Sequence, residues 1–362
     1  MKKNSKNHTS DNLTKLALQI KTWGKTLGFQ QVGITDTDLS VAEMHLQTWL
    51  NRGFHGEMAY MHRHGLKRSR PELLHDGTLR VISVRMDYLP EPACDILPQL
   101  EDPTQAYISR YALGRDYHKL MRNRLQKLVD QINKETASWP EAPAPMRVFA
   151  DSAPVLEKAL AEKAGLGWIG KHSNLINRKA GSWFFLAEIY TDLALPIDEP
   201  ASAHCGVCTA CLDICPTQAI VAPFQVDARR CVSYLTIELH GSIPVELRPL
   251  IGNRIYGCDD CQLICPWNRF ARLTDEQDFK PRHQLNTQQL IAVWQWDEDT
   301  FLNKTEGSAI RRLGHQRWLR NIAVALGNAP PSTEIIAALN QRSQHPSALV
   351  REHLQWALQR QT

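Results

Sequence analysis

A chain of 362 residues, 43% hydrophobic and 22% charged, holds enough apolar material for two or three packed domains and too much for a disordered polymer. No apolar run reaches membrane-spanning length, the polar, basic start from Met1 to Asn12 leads into no apolar signal core, and no twin-arginine export motif occurs. A cytoplasmic protein with reduced thiols and no membrane partner is therefore expected. The net charge of +4 is uneven: from Asn303 onward eight Lys and Arg face three Asp and Glu, a balance of +5 that leaves −1 for the rest. Such a basic end is either the footprint of a polyanion or a solvated helical surface.

In chain order, Leu13, Leu16, Ala17, Ile20, Trp23 and Leu27 recur at helical spacing and predict a helix over 13–28, ended by Gly28. Gln31 to Thr35 reads as a strand, and Val41 to Trp49 as a helix closed near Gly53. A basic stretch, His62 to Arg70, leads to a strand from Leu79 to Val84. The proline-rich interval 90–103 reads as a loop; it holds Cys94, whose neighbours give no ligand spacing. Ile108 to His118 leads into a long helix reaching about Ser138. Met146 to Ala150 reads as a strand that delivers Asp151 at its end, with Pro154 in the first turn of a helix through Lys163. Gly165 to Gly170 is a glycine-rich turn, and Ser182 to Thr191 a further strand. Strands and helices mix without strict alternation, which favours an α+β fold.

Residues 205–266 hold eight of the nine cysteines. Cys205, Cys208, Cys211 and Cys215, the last before Pro216, follow C-x2-C-x2-C-x3-C-P, the spacing by which bacterial ferredoxins hold iron–sulfur clusters. Cys231, Cys258, Cys261 and Cys265, before Pro266, repeat it with the first cysteine displaced upstream. In that pattern three closely spaced thiolates hold one cubane and the Cys-Pro thiolate ligates the other. One 4Fe-4S cluster is thus expected on Cys205, Cys208, Cys211 and Cys265, the second on Cys231, Cys258, Cys261 and Cys215. Disulfides would require an exporting signal. Zinc sites use two-plus-two ligands and need neither the third close cysteine nor the Cys-Pro endings.

After Asp278 the pattern turns helical. Apolar stripes at Leu319, Ile322, Ala323 and Leu326, at Ile335, Ile336 and Leu339, and at Val350, Leu354, Ala357 and Leu358 are separated by short turns. They suggest HEAT-like repeats, offering either a surface to a macromolecule or a packing cap. Arg311, Arg312, Arg317 and Arg320 flank one of these segments as candidate phosphate contacts. Trp318 either stacks on a base or packs between helices.

Several segments together resemble one family, the epoxyqueuosine reductases. They are Ser109-Arg-Tyr-Ala-Leu-Gly-Arg-Asp-Tyr-His118, Asp151-Ser-Ala-Pro-Val-Leu-Glu-Lys158, Ala164-Gly-Leu-Gly-Trp-Ile-Gly-Lys171, the run 205–216, Ser233-Tyr-Leu-Thr-Ile-Glu238, and Gly257-Cys-Asp-Asp-Cys-Gln262 with Cys265-Pro-Trp-Asn268. The ferredoxin run alone is shared by many redox proteins; the ordered set is far more specific. The resemblance implies three units: a mixed α/β cobalamin-binding catalytic domain (1–195), a ferredoxin-like domain with two 4Fe-4S clusters (196–275), and an all-α HEAT-like repeat domain contacting tRNA (276–362). It further implies reduction of an epoxide on the wobble base of tRNA to the cyclopentene of queuosine. Electrons would come from a small electron-donor protein or another low-potential reductant. A monomer is expected.

The same resemblance makes Asp151 the proton donor. Its apolar neighbours Phe149, Ala150, Ala153 and Val155 would raise its pKa toward neutrality; locally, the residue reads equally as a helix cap. The resemblance also points to cobalamin contacts at Arg68, at Tyr117 and His118, at Asp151, at Lys171, His172 and Ser173 beside a glycine turn open to a planar ligand, and at Asp259 and Asp260. His118 is not expected on cobalt, because Asp116-Tyr-His118 opens a helix and Met121 replaces the glycine of the histidine-ligating motif. Two rival readings are a cobalamin-dependent reductive dehalogenase, which normally carries an export signal and lacks a basic helical tail, and a non-catalytic ferredoxin-type carrier, which has no use for Asp151.

Overall fold

A computed structural model describes residues 4–92, 95–140 and 143–362, so Cys94 lies outside the described residues. At its centre is a four-stranded sheet in the order Gln31–Thr35, Arg80–Asp87, Phe184–Thr191 and Arg147–Phe149, with every neighbouring pair antiparallel. The long central pair runs in register from Arg80 opposite Thr191 to Asp87 opposite Phe184. All eight residues of Phe184–Thr191 are buried, because both faces of the sheet are covered.

One face carries Ile82, Val84, Met86, Phe185, Ala187 and Ile189, and packs on the helices Asn4–Thr26 and Tyr117–Thr136 through Leu16, Ile20, Leu125 and Ile132. Burying each such side chain stabilises the fold by roughly 1.5–3 kcal/mol. The other face, with Val81, Phe184, Leu186 and Tyr190, is covered by the helix Glu157–Lys163 through Leu160 and Ala161. Strand alternation puts Glu188 on this second face, where it is 0% exposed.

The boundaries differ from the sequence reading in several places. The first helix runs Asn4–Thr26 and the second Ser40–Asn51. The interval 90–103 contains a short helix, Leu97–Glu101. Pro154 stands outside the helix that follows Asp151, which begins only at Glu157 after Leu156. The glycine-rich turn opens a small hairpin, Trp168–Ile169 with Leu175–Ile176. A Cβ on Gly167 would lie 2.2 Å from the carbonyl oxygen of Ile176, so this glycine admits the chain's own backbone, not a ligand.

The C-terminal helices His315–Asn328, Thr333–Asn340 and Ala348–Gln361 follow the predicted stripes. Their core is continuous with Ala106, Ile108, Ile237, Ile255 and Tyr256 of the preceding chain, so the tail does not pack as a separate body. Trp318 is 0% exposed and stacks on Trp296 with ring centres 5.6 Å apart, which leaves it no face for a base. Arg320 was expected at the surface; instead it is 0% exposed, its guanidinium donating to the carbonyl oxygens of Leu235, Leu239 and Gly241 and to Asn321 Oδ1. It is a structural staple that cannot reach phosphate. Arg317 is also largely occupied, with the carbonyls of Ile237, Arg312 and Leu313. Arg311 and Arg312 remain exposed.

Candidate active site

The strand Arg147–Phe149 pairs Phe149 with Glu188 and then releases the chain as Ala150 and Asp151. Asp151 adopts φ +54°, a left-handed conformation unusual for a side chain other than glycine, and its N–H donates to Glu157 Oε1 at 2.6 Å. The carboxylate faces the start of the long helix. Asp116 caps that helix by accepting from His118 N at 3.0 Å, which presents Tyr117 and His118 side by side. Tyr117 Oη donates to Asp151 Oδ2 at 2.7 Å, and His118 Nε2 donates to the same oxygen at 2.9 Å. The far nitrogen of His118 meets Asp116 Oδ1 at 2.5 Å. Tyr117 is fixed by stacking on Phe185, with centroids 3.7 Å apart and planes within 7°.

Burial alone would push the His118 imidazolium down, but hydrogen bonds to Asp116 and Asp151 outweigh it and raise the pKa to about 9. Burial pushes Asp151 up, but the hydrogen bonds from His118 and Tyr117 hold it below the ordinary carboxylate value. This reverses the sequence expectation: apolar neighbours in the chain do not protonate Asp151, because the fold supplies two donors and a cation. At neutral pH the proton of the pair resides on His118. Neither is Asp151 a helix cap, since its helix starts six residues later.

The predicted cysteine quartets come together as crossed sets. Cys205, Cys208, Cys211 and Cys265 line one cavity of about 110 Å³. Cys215, Cys231, Cys258 and Cys261 line a larger one of about 420 Å³, shared with Tyr88, Tyr111, Tyr117, Phe184 and Phe185. Among the described residues no three His, Cys, Asp or Glu side chains converge on a single-ion site. Tyr117 is thus both a wall of the larger cavity and a donor to Asp151.

The other predicted contacts divide. Ser173 lines the larger cavity, and His172 lines both. Burial drives the His172 imidazole down to about 4, so it is neutral; Nδ1 accepts from Asn174 N, which leaves the proton on Nε2, buried and without a partner among the described residues. Lys171 is a correction: its ammonium binds the carbonyls of Gly206 and Cys208, in the loop of the first quartet and away from the larger cavity. Asp259 and Asp260 border the larger cavity, but their carboxylates are engaged by the protein. Asp259 accepts from Tyr107, Ser109 and Arg110 N, and Asp260 pairs with the Arg254 guanidinium. Every oxygen of the two already accepts at least one hydrogen bond from the protein. Arg68 is 7% exposed, donates to the Tyr60 carbonyl, and has an unpartnered Nε.

Sequence reasoning missed the partners of Asp151. His118 and Tyr117 lie 33 and 34 residues away and meet it only in the fold. Glu157, whose carboxyl is raised to about 8 by burial and by the charge of Asp151, stood in a quoted motif without a role. Glu238, at the end of another quoted motif, pairs with Arg312 at 2.6 Å. That ties one expected tRNA cation to the cluster domain, close enough for its charge to be felt at Asp151.

Residues 204–268 match the family described as 4Fe-4S double cluster binding domain, and residues 68–152 match epoxyqueuosine reductase QueG, DUF1730. A double-cluster domain set against a sheet domain that presents an acid and an imidazolium defines an iron–sulfur oxidoreductase. The epoxyqueuosine reductase of Shewanella oneidensis is 61% identical over 351 residues, spanning 96% of this chain and 89% of that one. That of Pseudomonas aeruginosa is 59% identical over 358 residues, spanning 97% of each. The crystal structure of an epoxyqueuosine reductase with a tRNA-Tyr epoxyqueuosine-modified tRNA stem loop matches with a TM-score of 0.84 at 26% identity, covering 96% of this chain and 90% of that one. The enzyme from Streptococcus thermophilus matches at 0.83 and 27% identity, covering 95% of this chain and 90% of that one. The chain belongs to the epoxyqueuosine reductase family.

Proposed function

We propose that this protein reduces the epoxide of epoxyqueuosine, at the wobble position of tRNA, to the cyclopentene of queuosine. The observation that carries the reading is the Asp151–His118 pair, joined through Tyr117 to a cavity whose far wall is the second cysteine quartet, in a chain of this family. Opening an epoxide to an alkene consumes two electrons and two protons and releases water. The crossed quartets would hold two 4Fe-4S clusters, a kind of group that supplies electrons singly at potentials as low as about −700 mV.

Cobalamin is the proposed partner of the larger cavity. Aromatic walls with a polar edge suit a broad, flat ligand, and the unpartnered Nε2 of His172 is a donor for its amide periphery, while Arg68, whose Nε is also unpartnered, does not line the cavity. When bound, cobalamin supplies a low-potential metal centre that holds the reducing equivalents. Ser173, His172 and Tyr117 would hold it. Asp151 delivers a proton to the departing oxygen, and His118, charged at neutral pH, supplies it through their shared hydrogen bond. Asp116 keeps His118 oriented.

Arg311 and Arg312 offer phosphate contacts beside the cleft, and the helical tail gives the tRNA a rigid seat. No helix among the described residues is long and apolar enough to cross a membrane. A cytoplasmic monomer served by a low-potential donor fits these features. The test is anaerobic assay of protein reconstituted with clusters and cobalamin on tRNA bearing the epoxide, read by nucleoside mass spectrometry. Stoichiometric corrinoid in the visible spectrum is a separate readout. Unchanged nucleoside from fully loaded, reduced enzyme would refute the activity, and iron and sulfide without corrinoid would favour the electron-carrier reading.

A further inference from the structure

Glu157 takes no part in the proton path, yet it is the group most closely tied to the conformation of Asp151. The segment between Phe149 and Glu157 is neither strand nor helix, and its internal backbone bonds are two narrow turns, Ser152 N to the Ala150 carbonyl and Val155 N to the Ala153 carbonyl. One of these turns, Ala150 to Ser152, closes around Asp151, but no group within the segment holds the Asp151 amide. The constraint comes from outside it: Glu157, in the first turn of the next helix, reaches back so that Oε1 accepts from Asp151 N at 2.6 Å. Behind Glu157 stands Glu188, fully buried in the central strand, with Ser83 Oγ at 3.4 Å from one oxygen and no partner among the described residues for the other.

We propose that Glu157 is a positioning residue: backed by Glu188, it latches the Asp151 turn in the orientation that meets Tyr117 and His118. The argument rests on the reading of Asp151 as the proton donor. Two adjacent carboxyls removed from water cannot both be ionised at small cost, so the pair holds at least one proton between them. Burial followed by the charge of Asp151 raises Glu157 to about 8, and burial followed by the charge of Glu157 raises Glu188 well above the ordinary range. A proton on either carboxyl leaves Glu157 Oε1 able to accept from the Asp151 amide. An ionised Glu157 would instead repel the Asp151 carboxylate. The latch therefore works by an acceptor oxygen, and a carboxamide, which keeps that oxygen, can replace it.

Two variants and one measurement on the unaltered enzyme test this. Glu157→Ala is expected to lower kcat for reduction of the epoxide in tRNA at least tenfold with KM within twofold. It should also speed hydrogen exchange across residues 150–156. Glu157→Gln is expected to keep kcat within threefold and exchange near normal. Equal losses in both variants would assign the role to the carboxyl proton and overturn the latch, as would normal kcat in the alanine variant. Should Glu157→Ala fail to fold, exchange in the unaltered enzyme still decides: an Asp151 amide exchanging at the rate of an unprotected peptide would overturn the proposal. The exchange data do not depend on turnover. Normal turnover in Asp151→Asn would sink the proton-donor reading while leaving the latch to be judged by exchange alone.

Discussion

Replacing His118 with glutamine tests the proton path most directly. Glutamine keeps an N–H for Asp151 but cannot carry a proton to it. In the folded protein the His118 pKa rises from 6.5 to about 9, with burial opposing and Asp116 and Asp151 dominating. That difference corresponds to about 3 kcal/mol in favour of the imidazolium. Because the Asp151 side chain is 53% exposed, water screening leaves about half of it, ~1.5 kcal/mol. The sign follows from the raised value: the stabilising contribution is complete below 6.5 and is lost as pH rises through about 9. Tyr117, the other titratable group on Asp151, is pushed further above its usual value by burial and then by the Asp151 charge, so it stays neutral through this window.

In single turnovers with pre-reduced enzyme, which remove the pH dependence of the donor, kcat should be flat near neutrality and fall above pH about 9. His118→Gln should abolish that alkaline limb and lower kcat by about 100-fold or more, the scale of a general acid's contribution, with KM for tRNA nearly unchanged. An alkaline limb that persists in His118→Gln at the same midpoint would refute the reasoning.

Asp151→Asn should retain iron, corrinoid and tRNA binding but lose kcat by about 100-fold or more; near-normal turnover removes Asp151 from the chemistry. Cys265→Ala and Cys205→Ala should leave the same residual electron paramagnetic resonance signal, and Cys215→Ala and Cys258→Ala the other, whereas pairing by sequence run would refute the crossed assignment. Arg320→Ala strands the buried Leu235 carbonyl and the part-buried carbonyls of Leu239 and Gly241 and should cost about 2 kcal/mol, read as a clear drop in Tm, while the exposed Arg311→Ala should change stability by less than about 0.5 kcal/mol. On tRNA, Arg311→Ala should reduce the slope of log affinity against log salt by about one, and an unchanged slope would remove it from the interface.

What the sequence made legible follows from how local each signal is. The cysteine spacings carry the quartets because cage geometry is written into intervals of two and three residues, and both cavities are lined as those intervals imply. The strand predicted from Ser182 to Thr191, observed as Phe184–Thr191, was legible because burial on both faces demands a largely apolar run, here broken only by Glu188 before its last residue, Thr191. The protonation of Asp151 was not, because its donors come from another helix and its neighbours in the chain say nothing about them. The arginines of the tail misled for a related reason. Composition counts charges, but only the fold shows that Arg320 is spent on backbone oxygens. Asp259 and Asp260 read in sequence as cobalamin contacts; the fold shows Tyr107, Ser109, Arg110 and Arg254 engaging their carboxylates.

The staple at Arg320 has a mechanical consequence. Its guanidinium clamps the tail to the segment from Leu235 to Gly241, a few residues along the chain from Cys231. An RNA bound to the tail, as proposed, would be gauged against the cysteine-bearing half by a stiff chassis, not a tether, and any flexing needed to bring a nucleobase to the reaction centre would fall to the RNA.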